Sequence, residues 1–198
     1  MLTKDQLLAP LARLRDKAVV VTTMGVVRPW ARYSNSELDF ASADSAMGHA
    51  ADLALGIALA QPARKVICLN GDGSMLMSLG TLATINNAGA KNLVLIIVQN
   101  GTYEITGNQP LPAAAKVDFA SFARGAGWER IYFYEDAEKY AKSLPEVLSG
   151  DGPVFVAAIV EPGSEGPLSR GGHEKARYLN PSLAESAHQL RRVLHDAP

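Results

Sequence analysis

The chain reads as an α/β protein: three layers, α/β/α, around a mostly parallel six-stranded sheet. Three observations predict this. Several short apolar runs are continuous rather than alternating, as in strands covered on both faces. Segments with helical character separate them. Polar, glycine-containing clusters sit just past the ends of two of those runs, in Asn70-Gly71-Asp72-Gly73-Ser74 and in Gln99-Asn100-Gly101-Thr102-Tyr103. With 198 residues and 47% apolar content, the chain can bury one proper core.

The elements follow in order. Strands are expected over residues 18–22, 39–43, 66–69, 93–98, 130–134 and 154–160. Helices are expected over 4–15, 47–61, 75–88, 118–126, 137–148 and 181–195. Their alternation implies right-handed crossovers between parallel neighbours. Two stretches look irregular and long enough to be lids or partner contacts: 102–116, with Gly107, Pro110 and Pro112, and 161–180, rich in glycine and proline. The whole, 1–198, is expected to be a single domain with a C-terminal helical tail from about 180. Helix 47–61 is dense in Gly and Ala, which suits tight packing on its own sheet or a close subunit contact.

Composition excludes several functions. The formal charge is −1, so no electrostatic footprint for nucleic acid is present. No apolar run reaches a membrane span, and the first residues lack a signal-peptide pattern. The one cysteine, Cys68, falls inside an expected buried strand, which argues against disulfides, zinc sites and iron–sulfur clusters. A cytoplasmic location is expected.

The chemistry concentrates at the two strand tips. Parallel neighbours would bring Asp72 and Asn100 to one edge of the sheet. Gly71 and Gly73 let the backbone turn sharply and approach a ligand. Ser74 reads as an N-cap, with free amides beyond it that suit an anion. Asp72 supplies a hard oxygen for Mg²⁺, and Asn100 adds an amide oxygen. Thr102 follows around the bend that Gly101 permits and offers its carbonyl. A P-loop is absent, and Leu76 stands where a dinucleotide fingerprint needs its third glycine. A lone Gly-Asp-Gly is a common strand-to-helix turn; its pairing with Asn100-Gly101-Thr102-Tyr103, one helix and one strand later, is far more specific.

These two clusters together resemble the diphosphate-binding motif of thiamine diphosphate enzymes. Asp44-Ser45-Ala46-Met47-Gly48-His49-Ala50, Gly80-Thr81-Leu82-Ala83-Thr84-Ile85, Thr106-Gly107-Asn108-Gln109-Pro110 and Gly152-Pro153-Val154-Phe155-Val156 are similar to segments of sulfopyruvate and phosphonopyruvate decarboxylases. The resemblance covers about residues 19–163. It implies that thiamine diphosphate and Mg²⁺ are the cofactors. Asp72, Asn100 and the Thr102 carbonyl would hold the metal, and Gly73 and Ser74 the diphosphate. The turn Thr23-Met24-Gly25 would touch the same phosphates. Met47 would brace the bent cofactor, and the Ser45 carbonyl would face its aminopyrimidine. Gly71 and Tyr103 are further cofactor-binding candidates, and Met47 and His49 are the catalytic candidates of this chain, with His49 placed to reach the cavity. Asp44 and Glu104 depart from the family pattern.

Only the diphosphate half of such an enzyme fits in this length. The resemblance therefore implies a separate pyrimidine-domain (alpha) subunit carrying the catalytic glutamate, in a hetero-oligomer such as α2β2 or larger. Glu37, Glu104 and Glu129 are poor substitutes for that acid. The expected activity is decarboxylation of a small 2-oxo acid. Alternatives are a carboligase subunit of the acetolactate synthase type and a non-catalytic cofactor-binding module. Gln109, Arg170 and His173 are further candidates for bordering the substrate.

Overall fold

The computed structural model describes residues 1–43, 46–114, 116–171 and 174–196. In chain order the elements are α1 (Lys4–Leu14), β1 (Val19–Thr23), α2 (Met24–Ala31), β2 (Asp39–Ser42), α3 (Ala50–Ala60), β3 (Val66–Gly71), α4 (Asp72–Met77), α5 (Thr81–Ala88), β4 (Leu93–Gln99), β5 (Thr102–Tyr103), β6 (Gln109–Pro110), α6 (Phe119–Gly125), β7 (Arg130–Tyr134), α7 (Ala137–Leu148), β8 (Val154–Ile159) and α8 (Leu183–Asp196). Among the described residues, six strands form one sheet in the order β2-β1-β3-β4-β8-β7, with every neighbouring pair parallel. β5 and β6 make a separate small hairpin.

Period-two geometry explains the continuous apolar runs. Along β3, Val66 and Cys68 face one core and Ile67 and Leu69 the other; along β4, Leu93, Leu95 and Ile97 alternate with Val94, Ile96 and Val98. The first core is closed by residues of α3, α5, α6 and α8, the second by α1, α2 and α7. Cys68 is fully buried, and burial pushes its thiol well above the usual range, so it is chemically inert in the folded chain.

The expected helix 75–88 is two helices. Asp72–Met77 ends where Ser78 leaves helical geometry (φ −142°, ψ 48°), and Thr81–Ala88 begins afresh. Helix 47–61 starts later than expected, because Gly48 takes φ +87° and makes a turn of Met47-Gly48. One helix was not anticipated: α2, which contains both Gly25 and Pro29. Proline at that position removes the hydrogen bond to the carbonyl four residues back. That carbonyl belongs to Gly25, and the Lys4 ammonium donates to it at 2.9 Å.

The stretch 161–180, expected as a lid or partner contact, is tied down in its described part. Arg28 pairs with Glu174 at 2.6 Å and donates to the carbonyls of Gly166 and Pro167. Arg32 pairs with Glu165 at 2.6 Å, and the Tyr178 hydroxyl donates to the Val27 carbonyl at 2.6 Å. Arg170, a candidate for meeting substrate, instead donates to the Ala41 carbonyl at 2.6 Å and to the Ser186 hydroxyl. These bonds hold the segment over α2 and the edge strand β2. His173 lies outside the described residues. α8 is docked rather than trailing, with Leu190 buried in the first core.

Candidate cofactor site

β1 leads through α2 to β2 on one side, and the chain then returns through α3 to β3 on the other. The sheet therefore has a topological switch point between β1 and β3, where ligands of open α/β sheets bind. The register brings Thr22 beside Leu69 and Gly71 beside Val98. Thr23, Asp72 and Asn100 consequently share one rim. Thr23 stitches it: its hydroxyl accepts from the Gly71 N–H at 2.9 Å and donates to the Leu69 carbonyl.

Asp72 is 2% exposed. Its carboxylate accepts from the Gly73 N–H at 2.9 Å and from the Gly101 N–H at 2.7 Å, so it ties the β3 tip to the β4 tip. Among the described residues no cationic side chain pairs with it. Burial therefore pushes its pKa up to about 6, with backbone N–H donors, those of Gly101 and Gly73 foremost, offsetting part of that rise. A buried carboxylate without a counter-charge, facing a cavity, is the donor a hard cation needs. Asn100 stands beside it. Its Oδ1 accepts from the Thr102 N–H at 3.0 Å and its Nδ2 donates to Glu104 at 2.8 Å. Among the described residues no cluster of three or more His, Cys, Asp and Glu side chains could hold a metal. A cation here would thus draw on a carboxylate, amide and carbonyl oxygens, water and a ligand's phosphates, the donor set of Mg²⁺ rather than of zinc.

The rim encloses a cavity of ≈ 180 Å³ whose lining includes Thr23, Gly25, Met47, Gly71, Asp72, Gly73, Ser74, Asn100, Thr102 and Tyr103. Ser74 is not the N-cap that its sequence position suggests. The helix starts three residues earlier, at Asp72 with Gly71 as cap, which leaves Ser74 in the first turn; its hydroxyl has no hydrogen-bond partner among the described residues. Thr23-Met24-Gly25 is likewise not a turn. Thr23 is the N-cap of α2 and Gly25 lies within it. A Cβ on Gly73 would lie 2.7 Å from the Tyr103 ring and 3.0 Å from Leu111, so any larger residue would displace that ring.

Met47 is 66% exposed and overhangs the cavity from the turn before α3. Apolar exposure of that size is unusual for a core residue at a helix start. The structure does not bring His49 to the cavity lining. Its Nδ1 engages Asp52, one turn along α3, whose other oxygen accepts from Thr81. Gln109 also stays outside, its side chain folded back on Thr106. Ser45, with Asp44, lies outside the described residues.

The profile of the thiamine pyrophosphate enzyme C-terminal TPP binding domain matches residues 22–158. The chain belongs to this family. This thiamine pyrophosphate domain is 36% identical over 166 residues to the phosphonopyruvate decarboxylase of Streptomyces viridochromogenes, covering 84% of this chain and 41% of that one. It is 32% identical over 151 residues to the sulfopyruvate decarboxylase subunit beta of Methanocaldococcus jannaschii, covering 76% of this chain and 79% of that one. Its fold is shared by the thiamine diphosphate-dependent 4-hydroxybenzoylformate decarboxylase of Rhodococcus jostii RHA1, with a TM-score of 0.69 at 24% identity over 82% of this chain and 33% of that one. The chain thus spans about two fifths of the length of the Streptomyces relative.

Two polar residues of the cavity escaped sequence reasoning as site groups. Lys4, in the first turn of α1, and Glu104, just past β5, form a buried pair at 2.6 Å. No local pattern signals it, because the partners are far apart in the chain.

The turn that presents Met47 gives one expected result. A Cβ on Gly48 would lie 2.8 Å from the Ser78 hydroxyl and 2.9 Å from the Met77 Cβ, at a positive φ that L side chains rarely adopt. Gly48→Ala should cost about 1–3 kcal/mol and lower the thermal midpoint by roughly 3–10 °C. An unchanged midpoint in thermal unfolding would show that the turn relaxes freely.

Proposed function

We propose that this chain is the diphosphate- and Mg²⁺-holding subunit of a two-chain, cytoplasmic thiamine diphosphate-dependent decarboxylase. Its substrate is a small 2-oxo acid of the sulfopyruvate or phosphonopyruvate kind. One observation carries the reading: the uncompensated, buried Asp72 carboxylate is bonded across to the β4 tip and opens on a cavity beside Asn100.

In this reading Asp72, Asn100 Oδ1 and the Thr102 carbonyl hold Mg²⁺. Ser74, with Thr23, Gly25, Gly71 and Gly73, forms the wall along the diphosphate, and Tyr103 packs behind Gly73. Met47, which overhangs the cavity, would brace the cofactor. When bound, the cofactor supplies the electron sink for loss of the carboxylate; this chain supplies position, charge and exclusion of water. Asp72 carries the negative charge that would hold the cation beside the phosphates.

The other half of the site is assigned to a pyrimidine-domain (alpha) subunit, in a hetero-oligomer such as α2β2 or larger, with residues 1–198 as one diphosphate-binding domain. Three points support this. The cavity is smaller than the roughly 300–1,000 Å³ of complete small-molecule sites. The M. jannaschii relative, matched over most of both chains, carries the name of a beta subunit. The cavity's lining cation among the described residues, Lys4, is spent on Glu104. A sulfonate or phosphonate group on the substrate must then find its cation on the partner. No observation favours a carboligase over this reading.

Purified alone with thiamine diphosphate and Mg²⁺, the chain should release little or no CO₂ from pyruvate, sulfopyruvate or phosphonopyruvate. Adding the pyrimidine-domain partner should start turnover on a strongly acidic 2-oxo acid. Substantial turnover by the isolated chain would overturn the two-chain assignment, and acetolactate from pyruvate would point to carboligation.

A further inference from the structure

The Lys4–Glu104 pair is where the cavity's polar contacts converge. The Glu104 carboxylate is 2% exposed and the Lys4 side chain 10%. Lys4 Nζ donates to both Glu104 oxygens, at 2.7 and 2.6 Å, and to the Gly25 carbonyl at 2.9 Å. Glu104 Oε1 also accepts from the Glu165 N–H at 3.0 Å, and Oε2 from Asn100 Nδ2 at 2.8 Å. One ion pair thus links α1, the start of α2, the β4 tip and the segment after β8.

The bond to Asn100 has a directional consequence. An amide has a donor end and an acceptor end of almost equal size, and nothing in its own shape decides which way it faces. An ionised carboxylate accepts and cannot donate. Glu104 therefore admits only the Nδ2 end of Asn100, and together with the Thr102 N–H that donates to Oδ1 at 3.0 Å it fixes Oδ1 on the side of Thr102 and the rim. Lys4 supplies the charge that lets a carboxylate stay buried there.

We infer that Glu104, held by Lys4, is a positioning residue that locks the Asn100 amide with its oxygen toward the cation. This rests on the reading of Asn100 as a ligand. Partners that orient a metal ligand commonly change affinity by 10–100-fold.

The test uses the full chain and separates orientation from mere support. Lys4→Met/Glu104→Leu removes both charges and the acceptor while keeping apolar bulk, an exchange that buried ion pairs often tolerate. Lys4→Met/Glu104→Gln also removes both charges but keeps an oxygen that can accept from Asn100. Mn²⁺ uptake in the presence of millimolar thiamine diphosphate is followed by electron paramagnetic resonance, and thermal midpoints are recorded alongside. Met/Leu should bind Mn²⁺ about tenfold more weakly than wild type, and Met/Gln within about threefold of it. Equal affinity in all three proteins overturns the inference. So does weakening that tracks the thermal midpoint and is the same in both double variants. Asp72→Ala is the control for the underlying reading. If wild type takes up no more Mn²⁺ than Asp72→Ala, the cation site itself is misassigned, a result distinct from failure of the lock.

Discussion

Asp72→Ala should abolish Mg²⁺-dependent cofactor binding, weakening it by at least about 100-fold, or roughly 2.7 kcal/mol, while the fold survives. The side chain is the anionic donor of the rim, and neither Asn100 nor a carbonyl can replace its charge. The fold should survive because the metal-free chain gains little from this carboxylate. With a folded pKa raised to about 6 against an ordinary value near 4, the protonated form is the one that folding favours. Its contribution is therefore fully present below about pH 4 and is lost as the pH rises through about 6. At neutral pH the buried, ionised group is a cost to the metal-free protein. Mg²⁺ with cofactor, by neutralising that charge, should accordingly raise the thermal midpoint of wild type at pH 7–8. The pH dependence has the opposite sign for the cation, which competes with the proton. Apparent Mg²⁺ affinity in the presence of thiamine diphosphate should be flat above about pH 6.5 and fall as the pH drops through 6. Thermal unfolding measures the first effect and isothermal titration at several pH values the second. Normal cofactor affinity in Asp72→Ala would remove the metal role.

The two tips of the site were legible in the sequence because local chemistry and sheet topology point the same way. A polar cluster that ends a doubly buried strand must lie at the sheet's edge. Two such clusters on adjacent parallel strands must lie at the same edge, as the Gly71–Val98 register shows. The strands were legible for a related reason: apolar runs such as 93–98 have no polar face to offer water. Helix boundaries were less so. Gly25 and Pro29 disfavour a helix by propensity, yet α2 forms because it packs Val26 and Trp30 into the core and because Lys4 satisfies the carbonyl that Pro29 abandons. Gly48 and Ser78 break expected helices through backbone angles that no periodicity encodes. Ser74 has the chemistry of a cap, but the chain begins its helix as soon as Gly71 leaves the sheet. The His49 ring was drawn toward the cavity by its distance from Met47 in sequence, whereas Asp52 at i+3 is its nearer partner. The Lys4–Glu104 pair could not have been read at all, since it exists only once α1 and the β4 tip are placed together.

Met47→Ala should lower turnover of the proposed two-chain enzyme by about 100-fold while changing cofactor affinity by only a few-fold. Affinity comes mainly from the charged end of the cofactor, which Met47 does not touch in the proposed arrangement. Turnover would depend on how the cofactor's other end is positioned, which is the part Met47 would hold. A misplacement of about 1 Å in such a reaction costs roughly 10²-fold. The side chain suits the task. It is unbranched and polarizable, so it can fill an irregular gap beneath a curved ligand, and the Gly48 turn with the packed α3 behind it fixes where it projects. Its 66% exposure in the isolated chain also carries weight. An apolar side chain left in water gains about 25 cal/mol for each Å² later covered, so it favours a filled site over an open one. Leucine, of similar volume, should recover most of the turnover that alanine loses, and a polar isostere such as glutamine should recover less. The measurement is kcat at saturating cofactor, beside the cofactor dissociation constant, for the three substitutions with the partner present. Equal loss of affinity and rate would make Met47 a simple packing contact. An unchanged rate would remove it from the mechanism and leave the bend to be imposed wholly by the partner subunit.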